Sequence, residues 1–204
     1  MRVIGIYLAA GESKRMGIDK RYLPFNQVPL GSVVLKEALL SKLEHIVVIT
    51  RKDDSLDWLQ RISFSSKWSL MECEHATEGQ GSSIQCGLKR AVESNADAAM
   101  ILLADQPFVT TEVINTLIES YQQDPDYYYI AAGNGQIPMP PILFSPACFP
   151  YLHQLTGDQG ARYVIRGELF NKGKIIDSQK ALIFFDVDTQ EDYSYLQSKE
   201  QLND

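Results

Sequence analysis

The strongest constraint on the fold is an apolar strand that runs without a break into a small, basic, glycine-containing loop. Val3, Ile4, Ile6, Tyr7 and Leu8 form a nearly continuous apolar run, the pattern of a parallel strand buried on both faces. Ala9, Ala10 and Gly11 follow, and small residues let a chain turn sharply with its N–H groups exposed at the strand's carboxyl end. That end is where an open α/β sheet binds ligands. Phosphate binding requires close backbone approach plus cations, and Gly11 and Gly17 with Lys14, Arg15 and Lys20 supply both. Two familiar phosphate loops do not fit. The dinucleotide fingerprint fails because Ser13 and Met16 stand where its second and third glycines belong, and the P-loop fails because neither Gly11 nor Gly17 precedes a lysine.

The chain has 204 residues, 45% of them hydrophobic, enough for a substantial core, and its size suits one domain spanning residues 1–204. It contains no apolar run of about 18 residues and no signal-peptide pattern, so a cytoplasmic protein with no membrane partner is expected. A net charge of −7 argues against general nucleic-acid binding, which needs a basic face, but leaves room for a positive pocket that takes small anions. Cys73, Cys86 and Cys148 are odd in number and far apart, which predicts buried or partly buried thiols and no disulfide framework or closed zinc site. Cys73 and His75 could share a strand face, but two ligands do not make a zinc site.

Apolar runs alternate with helical patterns, as expected for a parallel sheet covered on both faces. The pattern predicts helices at about 33–43, 54–61, 82–93 and 110–121, and strands at 45–50, 70–74, 98–103, 127–132 and 142–145. Serine is available as the N-cap of the 82–93 helix. Residues 133–141, with two glycines and three prolines, read as a loop. A helix after Asp158, a strand near 182–186 and a terminal helix starting near Thr189 complete the order, the last with Thr189 and Asp192 in a capping arrangement.

Two acidic positions stand out. Asp105 emerges from the strand ending at Leu103, beside Pro107, where a carboxylate meets ligands at the sheet's carboxyl edge. Asp186 and Asp188 share one face if the 182–186 strand continues, and either could complete a magnesium site with Asp105, since Mg2+ takes few protein oxygens alongside substrate phosphates. Asp188 is favoured as the later residue, nearer the strand end.

The loop matches the pattern L-x-x-G-x-x-x-R-M-G-x-x-K at Leu8, Gly11, Arg15, Met16, Gly17 and Lys20. It thereby resembles nucleotidyltransferases that transfer a nucleoside monophosphate from a triphosphate. The double alanine Ala9-Ala10 is similar to the molybdenum cofactor cytidylyltransferases, whereas the guanylyltransferase branch carries glycines there. Leu103-Ala104-Asp105-Gln106-Pro107, Pro141 to Phe144, Gly157 to Arg162 and Asp186 to Asp192 extend the resemblance over nearly the whole chain.

The resemblance implies an α/β, Rossmann-like three-layer domain with a mostly parallel central sheet. It also implies transfer of CMP from CTP to the terminal phosphate of molybdenum-bearing molybdopterin. Leu8, Ala9, Ala10, Gly11, Arg15, Lys20, Gly79 and Ser83 would bind the nucleotide. Arg15, Lys20 and Asp105 would serve catalysis, and Asp105 and Asp188 would hold Mg2+. Pro141, Asp158 and Arg162 would meet the acceptor, which would pass to a recipient molybdoenzyme such as a xanthine dehydrogenase-type hydroxylase. Met139-Pro140-Pro141 stands where the molybdenum cofactor cytidylyltransferases typically carry Gly-His-Pro, and Gln80 and Ile84 stand where methionine and leucine are common in the family. Two other readings are cytidylyl transfer to another phosphorylated small molecule, such as a sugar or polyol phosphate, and a cofactor-delivery protein without turnover.

Overall fold

A computed structural model describes residues 1–63, 65–178 and 180–200. Strand β1 (Val3–Leu8) is fully buried and lies inside a seven-stranded sheet, third from one edge. The chain then forms a small antiparallel pair, β2 (Pro24–Phe25) and β3 (Val28–Pro29), and enters α1 (Leu30–Leu40). Next come β4 (His45–Thr50), β5 (Trp68–Glu72), α2 (Gln80–Glu93), β6 (Ala98–Leu103), α3 (Thr111–Gln123), β7 (Tyr129–Asn134) and β8 (Ile137–Phe144). A short α4 (Phe149–Leu152), an edge strand β9 (Lys174–Asp177) and α5 (Gln190–Glu200) follow. The sheet order is β5-β4-β1-β6-β8-β7-β9, mostly parallel, with β8 antiparallel to both neighbours.

Because β1 pairs with β4 on one side and β6 on the other, the chain winds outward in both directions from the β1–β6 pair. This is the topological switch point, and loops leaving the carboxyl ends of these two strands must diverge and leave a crevice. The loop at 9–20 and Asp105 leave those two ends. One face of the sheet packs Ile4 and Ile6 against Ile84, Leu88 and Ala91 of α2 and Leu152 of α4. The other packs Tyr7, Val48 and Met100 against Val34, Leu35 and Ala38 of α1 and Ile114, Leu117 and Tyr121 of α3. Helix α5 lies apart from both, setting Tyr193 and Leu196 against Met16, Phe25 and Leu30. Among the described residues, no helix is long and apolar enough to cross a membrane.

Several expectations are corrected. Helix α1 starts three residues early, at Leu30, because Pro29 stands at its N-cap position, and it stops at Leu40 ahead of Ser41. The 54–61 helix shrinks to a 3-10 turn at Asp57–Leu59. Helix α2 is entered through Gly79 at φ 123°, not through a serine cap. Residues 133–141 are not a loop but most of a β-hairpin turning at Gly135, φ 61°. Its prolines are tolerated because β8 pairs with β6 only from Ile142 to Phe144, so the proline-bearing half has an open side. The expected strand at 182–186 is a 3-10 turn, Ala181–Phe184, whose Ile183 and Phe184 pack sideways onto Ala132; the edge position goes to β9. After Asp158 there is only a 3-10 turn, Ala161–Tyr163. Cys73 and Cys86 are joined in a disulfide, because the end of β5 and the second turn of α2 meet across the sheet face; Cys148 is a free, buried thiol.

Thr189 and Asp192 cap α5 reciprocally, the Thr189 N–H donating to Asp192 at 2.8 Å and the Asp192 N–H donating to Thr189 Oγ1 at 3.1 Å. Helix α2 crosses β1 so closely that a methyl on Gly87 would lie 2.3 Å from Ile6 Cγ2. A glycine-to-alanine change inside a helix ordinarily gains about 1 kcal/mol. Overpacking a stiff β-branched neighbour costs about 1–3 kcal/mol, so the sign reverses here. Gly87→Ala is expected to lower the urea midpoint; a raised midpoint would show that this crossing is not close-packed.

Candidate active site

The loop leaving β1 is shaped by local constraints. The Ala9 N–H donates to Ile49 at 3.0 Å, continuing the ladder one residue past the strand, and the Met16 N–H closes a turn on Ser13 at 2.9 Å. Ser13 and Gly17 take positive φ values, 52° and 69°, and Met16 is anchored among Phe25, Leu30 and Val187. The Lys20 N–H donates to Ser13 Oγ at 3.2 Å, which folds the lysine back over the strand end.

There the Lys20 ammonium lies 2.7 Å from Asp105 Oδ2 and 2.9 Å from Asp188 Oδ1, with only 12% of its side chain exposed. Burial alone would depress this ammonium, but the carboxylates of Asp105 and Asp188 outweigh it and hold its pKa above the ordinary lysine value. Arg15, largely exposed, reaches the other Asp188 oxygen at 2.8 Å. Asp188 is aimed here because the Val187 N–H donates to the Asp105 carbonyl at 2.9 Å, tying the C-terminal segment to the end of β6. Asp186 points elsewhere, into a buried site where burial first, and the charges of Asp105 and Asp188 next, push its carboxyl up to about 6.

These residues line a cavity of about 430 Å3. Leu8, Ala9, Ala10, Gly11, Arg15, Lys20, Gly79, Ser83, Asp105 and Asp188, all expected to serve the nucleotide or metal, lie together on its wall. A second cavity of about 530 Å3 adjoins it, and Gln80, Leu103 and Asp158 belong to both. The second cavity carries Arg162 and Arg166. Among the described residues Arg162 has no ion pair, which leaves its guanidinium for an anion. Pro141 is a correction: it is buried in β8 behind the wall, which Met139 and Pro140 form instead. Asp158 lines both cavities.

The two cavities meet where two glycine loops touch. The Gly81 N–H donates to the Gly157 carbonyl at 2.9 Å, and a Cβ on Gly79 would fall 2.3 Å from that same carbonyl group. Only glycine permits this approach at Gly79, whose φ is 123°.

Arg21 was not legible as a site residue. It is 3% exposed, lies between the rings of Tyr22 and Trp58, and pairs with Asp19 and Asp54. It donates to the Ala9 carbonyl at 2.6 Å and so fixes the first residue of the loop after β1. Asp54 also accepts from Tyr22 and Trp58. The only sequence signal was an arginine directly after Lys20, which reads as one more solvated cation.

A parallel sheet with a basic loop and an aspartate facing each other across its switch point defines an α/β protein built to handle a nucleotide's phosphates. Residues 5–174 match the family described as the MobA-like NTP transferase domain, and the chain belongs to that family. It is 37% identical over 196 residues to the purine catabolism protein PucB of Bacillus subtilis, covering 94% of each chain. It is 29% identical over 119 residues to a molybdenum cofactor guanylyltransferase of Rhodobacter capsulatus, covering 57% of this chain and 58% of that one. The fold is that of a nucleotidyl transferase from Methanothermobacter, TM-score 0.80 at 15% identity over 100% and 99% of the two chains. Rv0371c of Mycobacterium tuberculosis superposes with TM-score 0.78 at 22% identity over 97% and 98%. The chain is a nucleotidyltransferase acting on a small acceptor.

If Lys20 and Asp105 form the reacting centre, Lys20→Ala and Asp105→Asn should each lower the steady-state rate by about 10²–10³-fold while leaving a folded domain. Rates at saturating Mg2+, taken beside thermal melts, check this; near-normal turnover in either variant removes that residue from the mechanism.

Proposed function

We propose that the protein transfers CMP from CTP to the terminal phosphate of molybdenum-bearing molybdopterin and releases pyrophosphate. The observation that carries this reading is the Lys20 ammonium set between Asp105 and Asp188 at the floor of one cavity, with a second, arginine-bearing cavity opening beside it. An acceptor phosphate oxygen would attack the α-phosphorus of CTP, forming one P–O bond. The bond from the α-phosphorus to the bridging oxygen would break, its electron pair leaving with pyrophosphate. The acceptor is already an anion, so neither a protein nucleophile nor a dedicated base is needed. Lys20 and Arg15 would neutralise phosphate oxygens as charge redistributes, and Arg162 would hold the acceptor's phosphate in line.

The donor set suits Mg2+. Asp105 Oδ1 is buried with no hydrogen-bond partner among the described residues, a free hard oxygen beside Asp188. No group of three or more potential ligands gathers among the described residues, which fits an ion that takes one or two carboxylates and completes its shell from phosphates. Asp105 and Asp188 would hold the ion, which when bound supplies charge neutralisation and orientation of the triphosphate.

Ala9 and Ala10 support cytidine as the base. Both line the first cavity, and a dialanine turn would leave less room for a purine than the diglycine of the guanylyltransferase branch. A relative named for purine catabolism supports a purine-oxidising molybdoenzyme as recipient.

Pyrophosphate release should be measured with CTP and GTP, each with molybdenum cofactor or a sugar phosphate. CTP with molybdenum cofactor is expected to turn over many times, at about 10–200-fold better efficiency than GTP, the range one pocket change supports. Equal use of GTP would defeat the base assignment. Sugar phosphate as sole acceptor would replace the acceptor, and binding without multiple turnover would make the protein a carrier.

A further inference from the structure

The Cys73–Cys86 disulfide brackets one stretch of the first cavity's wall. Cys73 is anchored to the sheet, its N–H donating to the Thr50 carbonyl at 2.9 Å in continuation of the β4–β5 ladder. Cys86 is anchored in α2, and the two Cα atoms lie 6.1 Å apart although the residues are 13 positions apart in sequence. Between them come Ala76, Thr77, Gly79, Gln80 and Ser83, all on that wall. Among the described residues, the backbone hydrogen bonds of 74–78 run only to residues 73–79, as from the Ala76 N–H to Cys73 at 3.2 Å and from the Glu78 N–H to His75 at 3.0 Å. The first hydrogen-bonded backbone tie to another segment is that from Gly81 to Gly157. A stretch with no ladder beside it takes its shape from its two ends, and a crosslink between those ends removes conformations that the open chain would sample.

The two sulfurs differ in access. Cys73 is 2% exposed and Cys86 is half-buried, so an attacking thiolate meets the Cys86 sulfur first. A dithiol reductant would form a mixed disulfide there, while Cys73 leaves as a thiolate and takes up a proton. The reductant's second thiol would then displace Cys86, which also takes up a proton, and the reductant departs as a cyclic disulfide after giving two electrons and two protons. The Cys73 thiol so released has an acceptor in place, the Ser82 carbonyl at 3.6 Å. Cys148 stays outside this chemistry: it is fully buried, and burial pushes its thiol up to about 12, so it forms little thiolate.

We propose that Cys73 and Cys86 form a thiol-disulfide switch on nucleotide binding. The bond holds the stretch between them in its binding shape, and reduction by a dithiol releases it and weakens the grip on the triphosphate. This rests on the first cavity being the nucleotide site. Linkage fixes the converse: bound nucleotide must protect the disulfide against reduction by the same factor by which the disulfide tightens the nucleotide.

The test uses the full chain equilibrated with oxidised or with reduced dithiothreitol, and CTP and GTP, each with Mg2+, as separate probes in calorimetry. After denaturation, a thiol reagent should titrate only Cys148 in the oxidised protein and all three cysteines in the reduced one; three in both overturns the proposal. Reduction should weaken whichever nucleotide binds by about 5–150-fold, the usual span of coupling between two sites, and reoxidation should restore it. Cys86→Ser should bind as the reduced wild type does and show no response to dithiothreitol. At a fixed ratio of the two dithiothreitol forms, saturating nucleotide should raise the ratio of oxidised to reduced protein by the same factor. A melting temperature that falls on reduction while nucleotide affinity is unchanged marks a structural crosslink, which overturns the switch and leaves the nucleotide reading intact. Failure of the oxidised protein to bind either nucleotide overturns both.

Discussion

One ammonium group between two carboxylates holds this molecule's working end together. Lys20 comes from the loop after β1, Asp105 from the end of β6 and Asp188 from the segment before α5, positions that lie 85 and 168 residues from the lysine. Without the lysine, Asp105 and Asp188 would face each other, with Asp186 close behind. With it, the three segments converge on the one place where a parallel sheet leaves a crevice. The same contact is provisional by nature. In the proposed reaction a triphosphate with its cation would bring negative charge for the lysine and positive charge for the carboxylates, so binding would exchange one set of ion pairs for another at little net cost in buried charge.

A second constraint couples the two cavities. The Gly79–Gly81 turn and the Gly157 loop touch backbone to backbone, and Gln80 and Asp158 each serve both sides. The two cavities therefore share part of their wall. The disulfide from Cys73 to Cys86 closes the stretch that carries Ala76, Gly79 and Ser83 along the wall of the first cavity.

Local chemistry in the sequence carried most of this. The strand-loop pattern from Val3 to Lys20 and the strand running into Asp105 place both sides of the crevice, because buried parallel strands leave long apolar runs and phosphate loops leave glycines and cations. What stayed illegible depended on partners far away in the chain. Arg21 reads as a surface cation until Asp19, Asp54 and Trp58 enclose it. The proline-rich hairpin strand was hidden for a related reason: its tolerance depends on which half of β8 has a second neighbour, a fact of sheet topology that residue type does not encode. The Cys73–Cys86 bridge depends on β5 and α2 meeting, which spacing alone did not show.

The central claim is that Lys20 and Asp105 act as one electrostatic unit. A double-mutant cycle of Lys20→Met and Asp105→Asn, followed by urea unfolding without nucleotide, tests it most directly. These groups are partly exposed, so the expected coupling is about 1–2 kcal/mol, well below that of a fully buried pair. The lysine substitution should cost that much more stability alone than when Asp105 is already neutral. Stability effects that add to within about 0.5 kcal/mol would contradict the account.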